Sequence, residues 1–217
     1  MDNQQLYSKN AKLQLILSAY LGDGHLRKDK KSLWITNTIK GLVQFKANLV
    51  GKEIHSMINK GYGNKLLYTL YLKDDLIRDI CNNSLKENLN LLDDLGIALW
   101  FYDDGSLHKT KLFYNLCTHA FDYEEHVNIL VPFFKSRGIT PVIRTERKKD
   151  GRLFYYLSFN KLEGAPLIAN ILKKWQIEGL EYKLWSSETI QKWSTLQEQW
   201  KSEDHGKPFK IWARGKI

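Results

Sequence analysis

The sequence predicts an α+β protein made of two copies of one αββαββα unit, each with a curved antiparallel sheet. Three observations lead there. Two apolar runs, residues 15–24 and 95–105, each end in an aspartate followed by a glycine. Asp23 and Asp104 stand 81 positions apart, and at that offset the flanks register: Leu26 falls on Leu107, Asn37 on Thr118, and Leu49-Val50 on Leu130-Val131. Further on, residues 65–70 resemble 152–157 at an offset of 87, as expected if the second copy has a longer loop.

The apolar runs come first in each copy. Both are apolar nearly all round, so as helices they are buried ones. Ser18, Ala19 and Gly22 in one, and Gly96 and Ala98 in the other, let two such helices approach closely. The terminal glycines supply a stop. A carboxylate at a helix C-terminus meets partial negative charge, and two side by side repel, so Asp23 and Asp104 call for positive compensation. A hard divalent cation such as Mg²⁺ suits carboxylates and phosphates together.

After each run a hairpin is expected, over about 25–38 with Lys28 to Lys31 near its turn, and over about 106–119. An amphipathic helix follows, with Leu42, Phe45, Leu49 and Val50 on one face in copy one and Tyr123, Val127, Leu130, Val131 and Phe134 in copy two. In copy two, 142–147 and 152–159 flank an Asp150-Gly151 turn; in copy one only the strand 65–73 stands out. Closing helices are expected at about 74–82 and 165–176, with a linker at about 83–92. Ile190, Trp193, Leu196 and Trp200 recur at helical spacing, predicting a docked C-terminal helix before a basic arm, 207–217. The division is 1–85 for the first repeat, 86–185 for the second, and 186–217 for the appended helix and tail.

Composition narrows the partner. A net charge of +9 and a pI near 9.3 point to a polyanion. Hydrophobic residues make up 43% of the chain, enough for a core without metal or disulfide staples, and Cys81 and Cys117 form no ligand spacing or disulfide framework. No apolar stretch is long enough to span a membrane, and the N-terminus lacks signal-peptide architecture. With so few cysteines and no targeting signal, a reducing, intracellular compartment is expected.

The two runs, and above all Ala98-Leu99-Trp100-Phe101-Tyr102-Asp103-Asp104-Gly105, resemble the LAGLIDADG motifs of single-chain homing endonucleases. The resemblance covers roughly residues 13–185. It departs at Leu21 and Tyr102, where the consensus has an earlier acidic residue, and keeps the acid before the final glycine in both copies. It implies a monomer whose motif helices pair and whose two sheets form a saddle along the DNA major groove. The implied activity is metal-dependent double-strand cleavage at a long target, with Asp23 and Asp104 as catalytic metal ligands, Mg²⁺ as cofactor and short 3′ overhangs as product. It also implies a lysine near the end of each repeat; Lys183 in Glu181-Tyr182-Lys183-Leu184 is the candidate in copy two, and Lys86 the weaker match in copy one. Such enzymes serve intron or intein mobility.

The expected DNA-facing residues are Arg27, Lys28, Lys30, Lys31, Trp34, Thr36 and Thr38 in copy one. In copy two they are His108, Lys109, Lys111, Tyr114, Asn115, Arg144, Arg147, Lys148, Lys149 and Arg152. His25 and His108 occupy different repeat positions and are peripheral or DNA-facing; Asp103 has glycine as its counterpart and is no equivalent ligand. Two rival functions remain: a maturase acting on intron RNA, and a DNA-binding regulator that has lost cleavage.

Overall fold

The computed structural model describes residues 3–59, 64–203, 208–213 and 216, with backbone alone for 3–8 and 210. The chain forms two compact units, one of residues 1–104 with 175–182, the other of 105–174 with 183–217.

The first unit begins with α1 (Asn3–Leu21), followed by strands β1 (Gly24–Leu26) and β2 (Ser32–Asn37), helix α2 (Lys40–Leu49), strands β3 (His55–Asn59) and β4 (Lys65–Lys73), and helices α3 (Asp75–Asn82), α4 (Leu85–Asn90) and α5 (Asp94–Asp104). Its sheet is antiparallel, in the order β1-β2-β4-β3. Leu33, Ile35, Leu70 and Leu72 are buried on the face that α2 covers; Trp34, Thr36, Thr69 and Tyr71 alternate onto the open face. The unexpected strand is β3. Its residues are all exposed or half-exposed, so no hydrophobic alternation marks it, and only pairing with β4 defines it. The expected linker holds α4, started by a reciprocal capping box between Ser84 and Glu87.

The second unit holds β5 (Gly105–His108), β6 (Phe113–Cys117), α6 (Tyr123–Glu125), a π-helical turn (His126–Leu130), α7 (Val131–Lys135), β7 (Val142–Arg147), β8 (Leu153–Phe159), α8 (Ala165–Lys174), a 3-10 turn (Glu181–Lys183, its last residue in this unit), α9 (Ser187–Ser202) and α10 (Phe209–Trp212). The sheet repeats the order of the first, β5-β6-β8-β7. The register repeats too: Gly24 pairs with Ile35 and Gly105 with Leu116, an offset of 81, and Ile35 pairs with Leu70 and Leu116 with Leu157, so that on β4 and β8 the offset has grown to 87. Gly151, at φ 86, makes the expected turn between β7 and β8.

Two helices depart from their expected faces. Pro132 has no N–H and its ring would collide with the preceding turn of an α-helix; the π-turn just before it widens the helix there. The extra residue rotates the buried stripe to His126, Leu130, Phe133 and Phe134, leaving Tyr123 and Val127 exposed. In α2 the buried stripe is Leu42, Val43, Lys46 and Ala47, so a lysine sits where apolar side chains are expected. At the C-terminus, Ser186 caps α9, and Phe209 of α10 packs its ring on Trp193 and Trp200. This part of the expected arm is docked; Lys207, Arg214, Gly215 and Ile217 lie outside the described residues.

Candidate active site

The two apolar runs become α1 and α5, which pack against each other. Near its start, α5 is held by α1. Gln14, 1% exposed, donates through Nε2 to the Leu91 carbonyl (2.9 Å) and accepts at Oε1 from the Asp93 N–H (2.9 Å). Asp93 Oδ1 in turn accepts from the N–H groups of Leu95 and Gly96, capping α5. A Cβ placed on Gly96 would stand 2.5 Å from Gln14 Oε1, so glycine is what permits the approach.

At the far end, a Cβ placed on Gly22 would stand 2.3 Å from Asp104 Oδ2 and 3.3 Å from Trp100 Cδ1. Gln14 lies beside the start of α5 and Gly22 beside its end, so the two helices run parallel. Their C-terminal ends meet, and the Asp104 carboxylate rests against the backbone of Gly22, one residue from the exposed Asp23. The sequence requires two carboxylates at helix ends; the parallel packing brings them to one place.

The positive compensation expected there has a component the sequence did not reveal. Lys46, from the covered face of α2, donates to both carboxylate oxygens of Asp103, at 2.5 and 2.7 Å. The two side chains are 0% and 2% exposed. Helical periodicity marks Lys46 as a core position, but its charge argues against that reading until Asp103 is seen to face it. Tyr102, also buried, has its phenol pushed above the ordinary range by burial and by the nearby Glu181 carboxylate.

Asp23 and Asp104 are hard oxygen donors of the kind Mg²⁺ prefers, and a site of two carboxylates leaves positions for water and phosphate oxygens. Among the described residues no group of three His, Cys, Asp or Glu side chains gathers to hold a metal. Two carboxylates are fewer ligands than a closed structural site uses, and a hard cation held by them would keep positions for other oxygen ligands.

The other candidates fall into several environments. In the first unit, Arg27, Lys28 and Lys30 are exposed at the β1–β2 turn, with the Arg27 guanidinium 5.2 Å from the Trp34 ring centre. Lys31 pairs with Asp75 at 2.6 Å. Trp34 and Thr36 lie on the open face, where Thr36 Oγ1 stands 3.1 Å from Thr69 Oγ1; Thr38 lies just beyond β2. Lys86 is exposed on α4.

In the second unit, Lys109 and Lys111 are exposed in the β5–β6 turn, where His108 Nδ1 accepts from the Lys111 N–H at 3.3 Å. Asn115 and Arg144 lie on the open face. Lys148, Lys149 and Arg152 surround the β7–β8 tip, with Lys148 paired to Glu146 (2.5 Å) and Arg152 to Asp150 (2.7 Å). Two residues need correction. Tyr114 is not on the open face: it is 1% exposed on the covered side, and its hydroxyl donates to the Lys183 carbonyl at 2.8 Å, because one step in register separates it from Asn115. Arg147 alternates onto the side opposite Arg144, although it remains exposed at the strand end. Lys183 itself is 7% exposed in its 3-10 turn.

The register exposes one further pair. Trp34 and Asn115 are equivalents at the 81-residue offset, and Trp34 Nε1 and Asn115 Oδ1 are both buried polar atoms with no hydrogen-bond partner. Such atoms are costly unless something else satisfies them.

Residues 80–167, which carry the second acid-ended helix and the four strands that follow it, match the model of the LAGLIDADG DNA endonuclease family. This is a LAGLIDADG-fold protein. The homing endonuclease I-WcaI bound to its DNA recognition sequence is similar at 20% identity and a TM-score of 0.64, over 85% of this chain and 93% of that one. Full-length DUF199/WhiA from Thermatoga maritima is similar at 13% identity and a TM-score of 0.54, over 87% of this chain but 61% of that longer one. The N-terminal LAGLIDADG domain of DUF199/WhiA gives 10% identity and a TM-score of 0.50, over 76% and 81% of the two chains. No curated protein sequence matches the chain. At these identities the likeness is one of fold, shared between a homing endonuclease and a protein not described as one. No helix among the described residues of the LAGLIDADG-fold chain is long and apolar enough to cross a membrane.

Proposed function

We propose that the protein is a site-specific DNA endonuclease that makes metal-dependent double-strand breaks at a long target, acting as a single chain with 1–85 and 86–185 as its two repeats. The observation that carries the reading is the meeting of two acid-ended helices, with the Asp104 carboxylate against Gly22 and beside Asp23. A dead scaffold has no need to hold two mutually repelling carboxylates at one helix-end position.

In this reading Asp23 and Asp104 hold Mg²⁺, which when bound supplies charge neutralisation and a more acidic water. The chain's own part is to orient: α1 and α5 fix both carboxylates before substrate arrives, so little reorganisation remains for the reaction step. Lys183 stabilises charge at the scissile phosphate, and Lys86, at the boundary of the two repeats, has the same role on behalf of the first. The open sheet faces carry Trp34, Thr36, Asn115 and Arg144 toward base edges, and the hairpin ends carry lysines and arginines toward phosphates. The residence of the enzyme is wherever its host DNA lies.

The test is a library of randomised duplex targets incubated with the protein and Mg²⁺, with the cut ends sequenced. Cleavage should be confined to one long motif. Asp23→Asn and Asp104→Asn should each abolish it while target binding in Ca²⁺ persists. Full cleavage by either variant refutes the assignment. Binding without cleavage by the unaltered protein instead makes it a regulator, and binding to intron RNA alone makes it a maturase.

A further inference from the structure

In the Lys46–Asp103 pair both side chains are buried, whereas Lys12–Asp74, Lys31–Asp75, Lys148–Glu146 and Arg152–Asp150 leave theirs partly exposed. Burying both charges costs desolvation that mutual attraction often fails to repay, so two apolar residues would serve the core as well. What an apolar pair would not supply is a directional link. Lys46 grips both oxygens of Asp103, and Asp103 precedes Asp104 in the last turn of α5. That turn is the part of α5 farthest from the clamp that Gln14 and Asp93 make at its start.

We propose that Lys46 is a positioning residue: through its two-point pair with Asp103 it holds the final turn of α5, and with it the aim of the Asp104 carboxylate against Gly22. Its positive charge also offsets the negative end of α5, where two successive carboxylates stand. The proposal rests on the reading of Asp23 and Asp104 as the catalytic acids. Lys46 touches no substrate in this role; it acts on the reaction through Asp103 and Asp104.

The experiment compares the unaltered protein with Lys46→Met/Asp103→Leu, Lys46→Met and Asp103→Asn. It reads thermal unfolding, target binding in Ca²⁺, Mn²⁺ binding to the protein–DNA complex by EPR, and single-turnover cleavage across a Mg²⁺ range. Lys46→Met alone takes both Lys46 contacts away from a buried carboxylate and should lower the melting temperature. The double variant should melt close to the unaltered protein and bind target equally. It should nevertheless bind Mn²⁺ about tenfold more weakly and cut about 100-fold more slowly, the scale expected for a catalytic group displaced by about 1 Å. Asp103→Asn keeps one contact and should fold, with an intermediate loss of both. A stable double variant, or a folded Asp103→Asn, with unaltered Mn²⁺ affinity and rate would overturn the proposal and leave a purely structural pair. If the unaltered protein does not cut, or Asp104→Asn does, the endonuclease reading fails first and this one with it.

Discussion

Gly22→Ala separates the placement of Asp104 from the stability of the fold. The added Cβ would lie 2.3 Å from Asp104 Oδ2, where ordinary contact begins at 3.4 Å, so the carboxylate oxygen must withdraw by about 1 Å. The colliding atom is the far end of a side chain, and rotation about two torsions clears it. The remaining contacts, Ser18 O and Trp100 Cδ1 at 3.3 Å, need only a few tenths of an ångström. Gly22 has no left-handed φ, so alanine fits its backbone and should recover about 0.4–1 kcal/mol by restricting the unfolded chain. Crowding takes back a similar amount, and the net stability change should stay within about 1 kcal/mol. The rate should not be spared: a displacement of about 1 Å in a catalytic ligand costs on the order of 100-fold. Urea unfolding and single-turnover cleavage of the selected target measure the two quantities. A folded Gly22→Ala protein that cuts at the unaltered rate would show that the Asp104 carboxylate in this position takes no part in cleavage.

The hairpin tips and the open faces should separate in a binding assay. Lys148→Ala/Lys149→Ala should weaken binding to all sequences and flatten the salt slope by up to about two units, roughly one per phosphate contact; substitution of Asn115 or Arg144 should relax preference at one or two base pairs, by about 1–3 kcal/mol each. A target-profile measurement showing the reverse pattern would exchange these roles. Lys12→Met tests a pH effect. Burial works to raise the Asp74 carboxyl, but the Lys12 ammonium at 2.8 Å and the Leu76 N–H hold it below the usual range. The unfolded chain therefore binds that proton at a higher pH than the folded one. The pair's stabilisation is full above the ordinary carboxylate value near 4 and is lost as pH falls through the lower folded value. The stability gap between the two proteins should be present at pH 7 and narrow below pH 4; a gap constant across urea titrations at both pH values would remove Asp74 as its source.

Local chemistry carried much of this protein in its sequence. Apolar runs without a polar stripe have only burial open to them, and the Asp-Gly at each end fixes where the helix stops, so α5 and the end of α1 are legible, whereas the stretch of α1 from Asn3 to Gln14 carries no such run and is not expected from the sequence. Asp150-Gly151 announces its hairpin, and equal spacing of the two acids carries the repeat that the paired registers of β1–β2 and β5–β6 display. Tertiary structure decided what depends on a partner distant in the chain. Strand β3 exists because β4 supplies its hydrogen bonds, since its own residues have no side to hide. Tyr114 and Asn115 differ by one register step, and only the sheet says which of the two is covered. Lys46 reads as a misplaced charge until Asp103, fifty-seven residues away, is packed against it. The meeting of Asp104 with Gly22 likewise depends on two helices running parallel, a direction fixed by Gln14 and Asp93 at one end and by glycine at the other. Periodicity records which face of an element is apolar; it holds no record of which charge another element will bring to that face.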